Sequence, residues 1–188
     1  AQTGTGKTGA YGSIILGTIE AGSKVPSAIV LVPTRELANQ VSEELSKLSK
    51  YSGHVCVPIY GGASIEGQIK KLEKGCDIVA GTPGRVRDMI TRKVLNLSAI
   101  NTLVLDEADR MLDMGFMDDI EYILKAMPSK HHTMLFSATM QENVKQLAFD
   151  YMHNPKEVSV SKDEVVLDLT KQYYISVGRR NKSWALCR

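Results

Sequence analysis

At 188 residues, 43% hydrophobic and 23% charged, the chain has a globular composition with room for one full domain and a little more. A net charge of +2 leaves a nucleic-acid partner open, because clustering of Lys and Arg on one face matters more than the total. Cys56, Cys76 and Cys187 are widely spaced and form no C-x-x-C pair, which argues against a disulfide frame or zinc site and for reduced thiols in the cytosol. No stretch approaches the ~18 apolar residues of a membrane span, and no secretory apolar region opens the chain.

Ala1-Gln2-Thr3-Gly4-Thr5-Gly6-Lys7-Thr8 matches the phosphate-loop pattern G-x-x-x-x-G-K-[ST], except that Ala1 stands at the first glycine. Gly4 and Gly6 let the backbone curl its N–H groups around phosphate oxygens, Lys7 brings charge to the β- and γ-phosphates, and Thr8 can hold Mg²⁺ through its hydroxyl. A helix expected over 7–21 would add its positive end to the same anion site. An octapeptide of this kind can also be an ordinary loop, and the acidic strand end described below is what tips the reading towards phosphate.

Helical and strand patterns then alternate. A buried strand over 28–32 ends at Pro33, and Leu37, Val41, Leu45 and Leu48 recur at helical spacing over 35–50. A strand over 55–60 precedes a helix lined by Ile65, Ile69 and Leu72, and a short strand over 77–80 runs into a helix over 85–92. The apolar run Leu103 to Leu105 is a strand, Ile120, Ile123 and Leu124 mark a helix closed by Pro128, and a strand over 133–136 leads to a helix over 143–151. This order implies an α/β domain over 1–160, with a mainly parallel sheet flanked by helices. Residues 161–170 are charged and weakly periodic, as in an interdomain linker; 171–188, with β character over 171–177 and then a helix start, read as the opening of a second α/β domain. Residue 1 already lies inside the phosphate loop, and the last helix has just begun at residue 188, so both ends are expected to fall within structural elements of a longer protein.

In open α/β sheets ligands bind beyond the carboxyl ends of the strands, which would bring Asp106 and Glu107 to a ligand crevice. Pro33-Thr34-Arg35 and Thr82-Pro83-Gly84-Arg85 each place a hydroxyl and a guanidinium at a strand-to-helix turn suited to a phosphate, and Gly61-Gly62 allows a nucleic-acid backbone to approach closely. Taken singly, plain N-capping accounts equally well for Thr34, Thr82, Ser137 and Thr139. His131 and His132 lack a ligand-spaced partner and read as surface residues. Met111, Met114 and Met117 read as core filling, and Lys70, Lys71 and Lys74 as a solvated helix face.

The ordered set of the phosphate loop, Pro33-Thr34-Arg35-Glu36-Leu37-Ala38, Gly61-Gly62, Thr82-Pro83-Gly84-Arg85, Asp106-Glu107-Ala108-Asp109 and Ser137-Ala138-Thr139 resembles the DEAD-box RNA helicases over essentially the whole chain. The resemblance implies a RecA-like P-loop NTPase domain followed by the start of a second one, with ATP as substrate and Mg²⁺ as cofactor. It implies that Asp106 holds Mg²⁺ largely through water, that Glu107 activates the attacking water, and that Lys7 and Thr8 act with Thr3, Gly4, Thr5 and Gly6 on the phosphates. Asp109 would contact Ser137 and Thr139 to link nucleotide state to domain arrangement. Pro33, Thr34, Arg35, Gly61, Gly62, Thr82, Pro83, Gly84 and Arg85 would meet the RNA backbone, giving salt-sensitive binding indifferent to base sequence. The implied setting is the cytoplasm, or the nucleus of a eukaryotic cell, with no membrane, and with a second RecA-like domain in cis. The glutamine motif by which the family reads adenine lies upstream of the loop and outside this sequence, and these 188 residues alone are expected to hydrolyse ATP poorly. A second reading keeps the same fold as an ATP-gated RNA clamp or scaffold without productive unwinding.

Overall fold

The computed structural model describes residues 6–159, 173–178 and 181–186. Strands β1 (Ala28–Leu31), β2 (Cys56–Ile59), β3 (Ile78–Gly81), β4 (Thr102–Leu105) and β5 (His132–Leu135) form one sheet in the order β2-β3-β1-β4-β5, and every pair is parallel. β1, β3 and β4 are buried throughout, which is why each reads as an unbroken apolar run rather than an alternating one. Pro58 sits on β2, an end strand of the sheet, where the missing N–H is tolerated.

Alternate residues of each strand feed two cores. Ala28, Val30, Ile78, Ala80 and Val104 pack with Tyr11 and Ile15 of α1 (Lys7–Thr18) and with Ala38, Val41 and Leu45 of α2 (Arg35–Leu48). Ile29, Leu31, Val57, Ile59, Val79, Leu103 and Leu105 face the larger core. That core takes residues from α3 (Ile65–Glu73), α4 (Pro83–Thr91), α5 (Ala108–Asp113), α6 (Met117–Ala126) and α7 (Glu142–Tyr151). The apolar faces of seven helices are thus divided between the two sides of the sheet, as the alternating pattern implies.

Local chemistry fixes where the helices begin. Thr34 and Ser64 accept the N–H groups of Leu37 and Gly67 at 3.3 Å, capping α2 and α3. α4 opens on Pro83, whose fixed φ suits the first helical position, so it starts two residues earlier than its apolar spacing suggests. α1 stops at Thr18 instead of reaching residue 21, with Ile19 already extended and Gly22 in a left-handed turn at φ 84°. At the amino ends of the strands, the fully buried Asp77 accepts the N–H groups of Ser23 at 2.7 Å and Val55 at 2.8 Å, pinning two incoming loops.

Other expectations are corrected. Met111 is fully buried, but Met114 is half exposed, because it closes the short α5 on its outer side. His132 opens β5 instead of preceding it, and His131 is tied through Nδ1 to the Pro128 carbonyl at 2.6 Å. The segment expected as a strand over 171–177 shows no strand in its described part, 173–178, since a β-like pattern forms a strand only where a neighbouring ladder is present. The expected linker, 161–170, lies outside the described residues. The chain divides into two compact units, Ala1–Val158 and Ser159–Arg188; within the second, Lys182–Leu186 forms a helical turn, α8.

Candidate active site

The sheet carries the predicted motifs to one edge. Pro33 and Thr34 follow β1, Gly61 and Gly62 follow β2, Thr82 to Arg85 follow β3, Asp106 and Glu107 follow β4, and Ser137 to Thr139 follow β5. The ladder runs one step beyond the strands, with Val32 N–H on the Gly81 carbonyl at 3.0 Å, Asp106 N–H on Leu31 at 2.9 Å and Phe136 N–H on Leu105 at 2.8 Å. The turns therefore stand level. Because β1 lies between β3 and β4, the chain reverses its winding direction there, and such a switch point is where open α/β sheets bind ligands. The acidic and Ser/Thr motifs fall on its β4–β5 side, and the glycine and arginine turns on its β2–β3–β1 side.

α1 starts at Gly6, whose φ of 81° favours glycine, and this aims Lys7 at the end of β4. Lys7 Nζ lies 3.4 Å from Asp106 Oδ1, with both side chains about nine-tenths buried. Apart from that ion pair, Oδ1 has no hydrogen-bond partner among the described residues. Asp106 Oδ2 accepts the phenol O–H of Tyr11 at 3.1 Å. Thr3, Gly4 and Thr5 lie outside the described residues.

Glu107 adopts the left-handed conformation, φ 56° and ψ 49°, an uncommon choice for a residue with a Cβ and one that turns the chain abruptly from β4 into α5. Its Oε2 pairs with Arg110 Nη1 at 3.2 Å, and the neighbouring Ala108 N–H is held by the Phe136 carbonyl at 3.0 Å.

Asp109 and the Ser-Ala-Thr turn form one network. Asp109 Oδ2 accepts both the Thr139 N–H at 2.9 Å and the Thr139 hydroxyl at 2.8 Å, while Oδ1 accepts the Arg110 N–H at 3.0 Å. Ser137 Oγ accepts the Asp109 N–H at 3.3 Å and donates to the Thr139 carbonyl at 2.6 Å. Burial alone would push the Asp109 carboxyl up, but the hydroxyl and N–H donors outweigh it and hold it below the usual carboxylate value. Ser137 and Thr139 therefore do not cap α7, whose cap position is Gln141. Plain capping does describe Thr34, and Thr82 occupies the cap position of α4 without making a side-chain cap bond.

On the other side, Gly62 at φ 75° turns the chain after β2. Gln68, buried on α3, clamps the backbone of Tyr60 through both its amide atoms at 3.0 Å. Arg85 reaches the Ala63 carbonyl with both terminal nitrogens at 3.4 Å, so the β2 and β3 turns are joined. Arg35 is exposed and pairs with Glu36 at 3.4 Å. Neither Gln68 nor Tyr11 stands out in sequence as a site residue, because a lone Gln or Tyr at helical spacing carries no motif.

The model of the DEAD/DEAH box helicases matches residues 1–147. The chain belongs to this family. It is 48% identical over 188 residues to the DEAD-box ATP-dependent RNA helicase CshA of Bacillus subtilis and covers 38% of that protein. It is also 48% identical over 189 residues to the ATP-dependent RNA helicase CshA of Listeria monocytogenes, covering 36% of it; in both matches the whole of this chain aligns. Among solved structures, a DEAD box protein from the hyperthermophile Methanococcus jannaschii matches with a TM-score of 0.78 and 43% identity, over 82% of this chain and 42% of that one. The chain thus spans about two fifths of the length of these relatives. The helicase family and the RecA-like parallel sheet expected from the motifs are both present.

Proposed function

We propose that the protein carrying this chain is an ATP-dependent RNA helicase that couples ATP binding and hydrolysis to local opening of RNA duplexes or remodelling of RNA–protein assemblies. The supporting observation is the juxtaposition of Lys7, Asp106 and Glu107 at the end of β4, joined to β5 through Asp109 and Thr139. Residues 1–160 are its first RecA-like domain and 161–170 the linker. Residues 171–188 open the second RecA-like domain, which closes on the first in cis. The free thiols of Cys56 and Cys76 suit the cytoplasm.

In this reading the loop from Thr3 to Thr8 binds the nucleotide phosphates, with Lys7 carrying charge to the β- and γ-phosphates. Thr8 and Asp106 hold Mg²⁺ largely through water, and the buried, hydrogen-bond-free Oδ1 of Asp106 is the acceptor that such a hydrated cation requires. When bound, Mg²⁺ supplies positive charge to the phosphates. Glu107 orients the attacking water and takes its proton. Asp109, Ser137 and Thr139 pass a change at the acidic turn directly to the next loop. Pro33, Thr34, Arg35, Gly61, Gly62, Thr82, Pro83, Gly84 and Arg85 follow the RNA backbone from turn to turn, so affinity falls with salt and varies little with base sequence.

RNA-stimulated ATPase of the full-length protein beside Glu107→Gln tests this. Hydrolysis should depend on RNA and fall by about 100-fold or more in the variant, which keeps ATP binding but lacks the base. A full-length protein that binds RNA in an ATP-gated way and hydrolyses nothing would refute it in favour of a clamp.

A further inference from the structure

Tyr11 lies on the second turn of α1 and is fully buried, yet its phenol is aimed at the site. The hydroxyl lies 3.1 Å from Asp106 Oδ2 and 3.4 Å from the Thr8 hydroxyl. A phenol has one proton and two lone pairs, so with its proton on the carboxylate it can still accept from Thr8. The ring is held independently of the hydroxyl by Phe136, at a centroid distance of 5.4 Å and a tilt of 53°. Since Phe136 N–H binds the Leu105 carbonyl, that support stands beside the acidic turn itself.

Resting on the reading of Thr8 and Asp106 as the Mg²⁺-holding pair, we infer that Tyr11 is a positioning residue that holds these two side chains in register. By engaging Oδ2, it leaves Oδ1 of Asp106, which accepts no hydrogen bond among the described residues, available to the cation, and it fixes the Thr8 hydroxyl on the same side. Phe at this position would fill the same space and keep the ring contact while removing the link between the P-loop helix and the acidic strand.

The test uses the full-length protein and binding of N-methylanthraniloyl-ADP, read by fluorescence during a Mg²⁺ titration with and without chelator. Tyr11→Phe should raise the Mg²⁺ concentration needed for half-maximal binding about tenfold, as expected for loss of an outer-shell partner, while leaving nucleotide affinity in chelator unchanged. In an Asp106→Asn background, Tyr11→Phe should add nothing further, since its effect acts through that carboxylate. An unchanged Mg²⁺ requirement in Tyr11→Phe would overturn the inference, as would an equal loss with and without Mg²⁺ or a full effect persisting beside Asp106→Asn. If Asp106→Asn alone leaves the Mg²⁺ requirement unaltered, the reading of the metal site itself fails, a result distinct from a silent Tyr11→Phe.

Discussion

Replacing Thr139 with Val removes a single hydroxyl from the network that joins the turns after β4 and β5. That hydroxyl donates to Asp109 Oδ2 at 2.8 Å, and hydrogen bonds to charged groups contribute about 1.5–3 kcal/mol. Two backbone donors remain in place, the Thr139 N–H at 2.9 Å and the Arg110 N–H at 3.0 Å, so Asp109 is weakened rather than stranded. The expected loss is therefore at the lower end, about 1.5 kcal/mol at pH 7 by urea unfolding. The pH dependence adds a second criterion. Asp109 is held below its ordinary value of 3.8 in the fold, so the stability it contributes is present above that value and is lost as pH falls through the lower folded value. The difference between wild type and Thr139→Val should shrink below about pH 3.8 as the carboxylate is neutralised in both proteins. A loss under 0.5 kcal/mol at pH 7, or one that stays the same size once the Asp109 carboxylate has titrated, would refute the reasoning that ionised Asp109 is what the hydroxyl supports.

Gly81→Ala should destabilise the protein by about 1–3 kcal/mol in the same assay. Its Cβ would sit 2.6 Å from Val86 Cγ2 and 2.8 Å from the Ile59 carbonyl, which is already fixed by the Thr82 N–H; wild-type stability would show that the β2–β3 turn region can yield. Asp77→Ala should cost about 2–5 kcal/mol, because it orphans the N–H groups of Ser23 and Val55, and Asp77→Asn should cost less by keeping one acceptor. Equal losses in the two variants would contradict that account. The Cys56 and Cys76 thiols are both pushed up to about 12 by burial, so in the native protein these two should resist iodoacetamide at pH 8 and label only on unfolding; rapid native labelling of either would be the contrary result.

The sheet was legible because its central strands are buried on both faces: Ala28 to Leu31, Ile78 to Ala80 and Leu103 to Leu105 are unbroken apolar runs, each ending in a motif. Element ends were less legible. α4 starts at Pro83 through proline geometry rather than apolar spacing, and α5 has six residues, too few for a helical period to declare itself. The site residues announced themselves where they fall in contiguous motifs. Tyr11 did not, because its partner Asp106 is 95 positions away and only the folded sheet brings them together. Gly81 is an intermediate case: a glycine at the end of an apolar strand hints at close approach, but the colliding atoms belong to Ile59 and Val86.

The left-handed backbone at Glu107 sets two kinds of selection against each other. A side chain in that conformation costs about 1–2 kcal/mol, and glycine would relieve it. A library screened for heat resistance alone should therefore enrich Glu107→Gly, and one screened for turnover should purge it. If Glu107 acts on water as proposed, its left-handed turn is thus also a position where the protein gives up robustness for chemistry, and repairs introduced during stabilisation are best kept away from it.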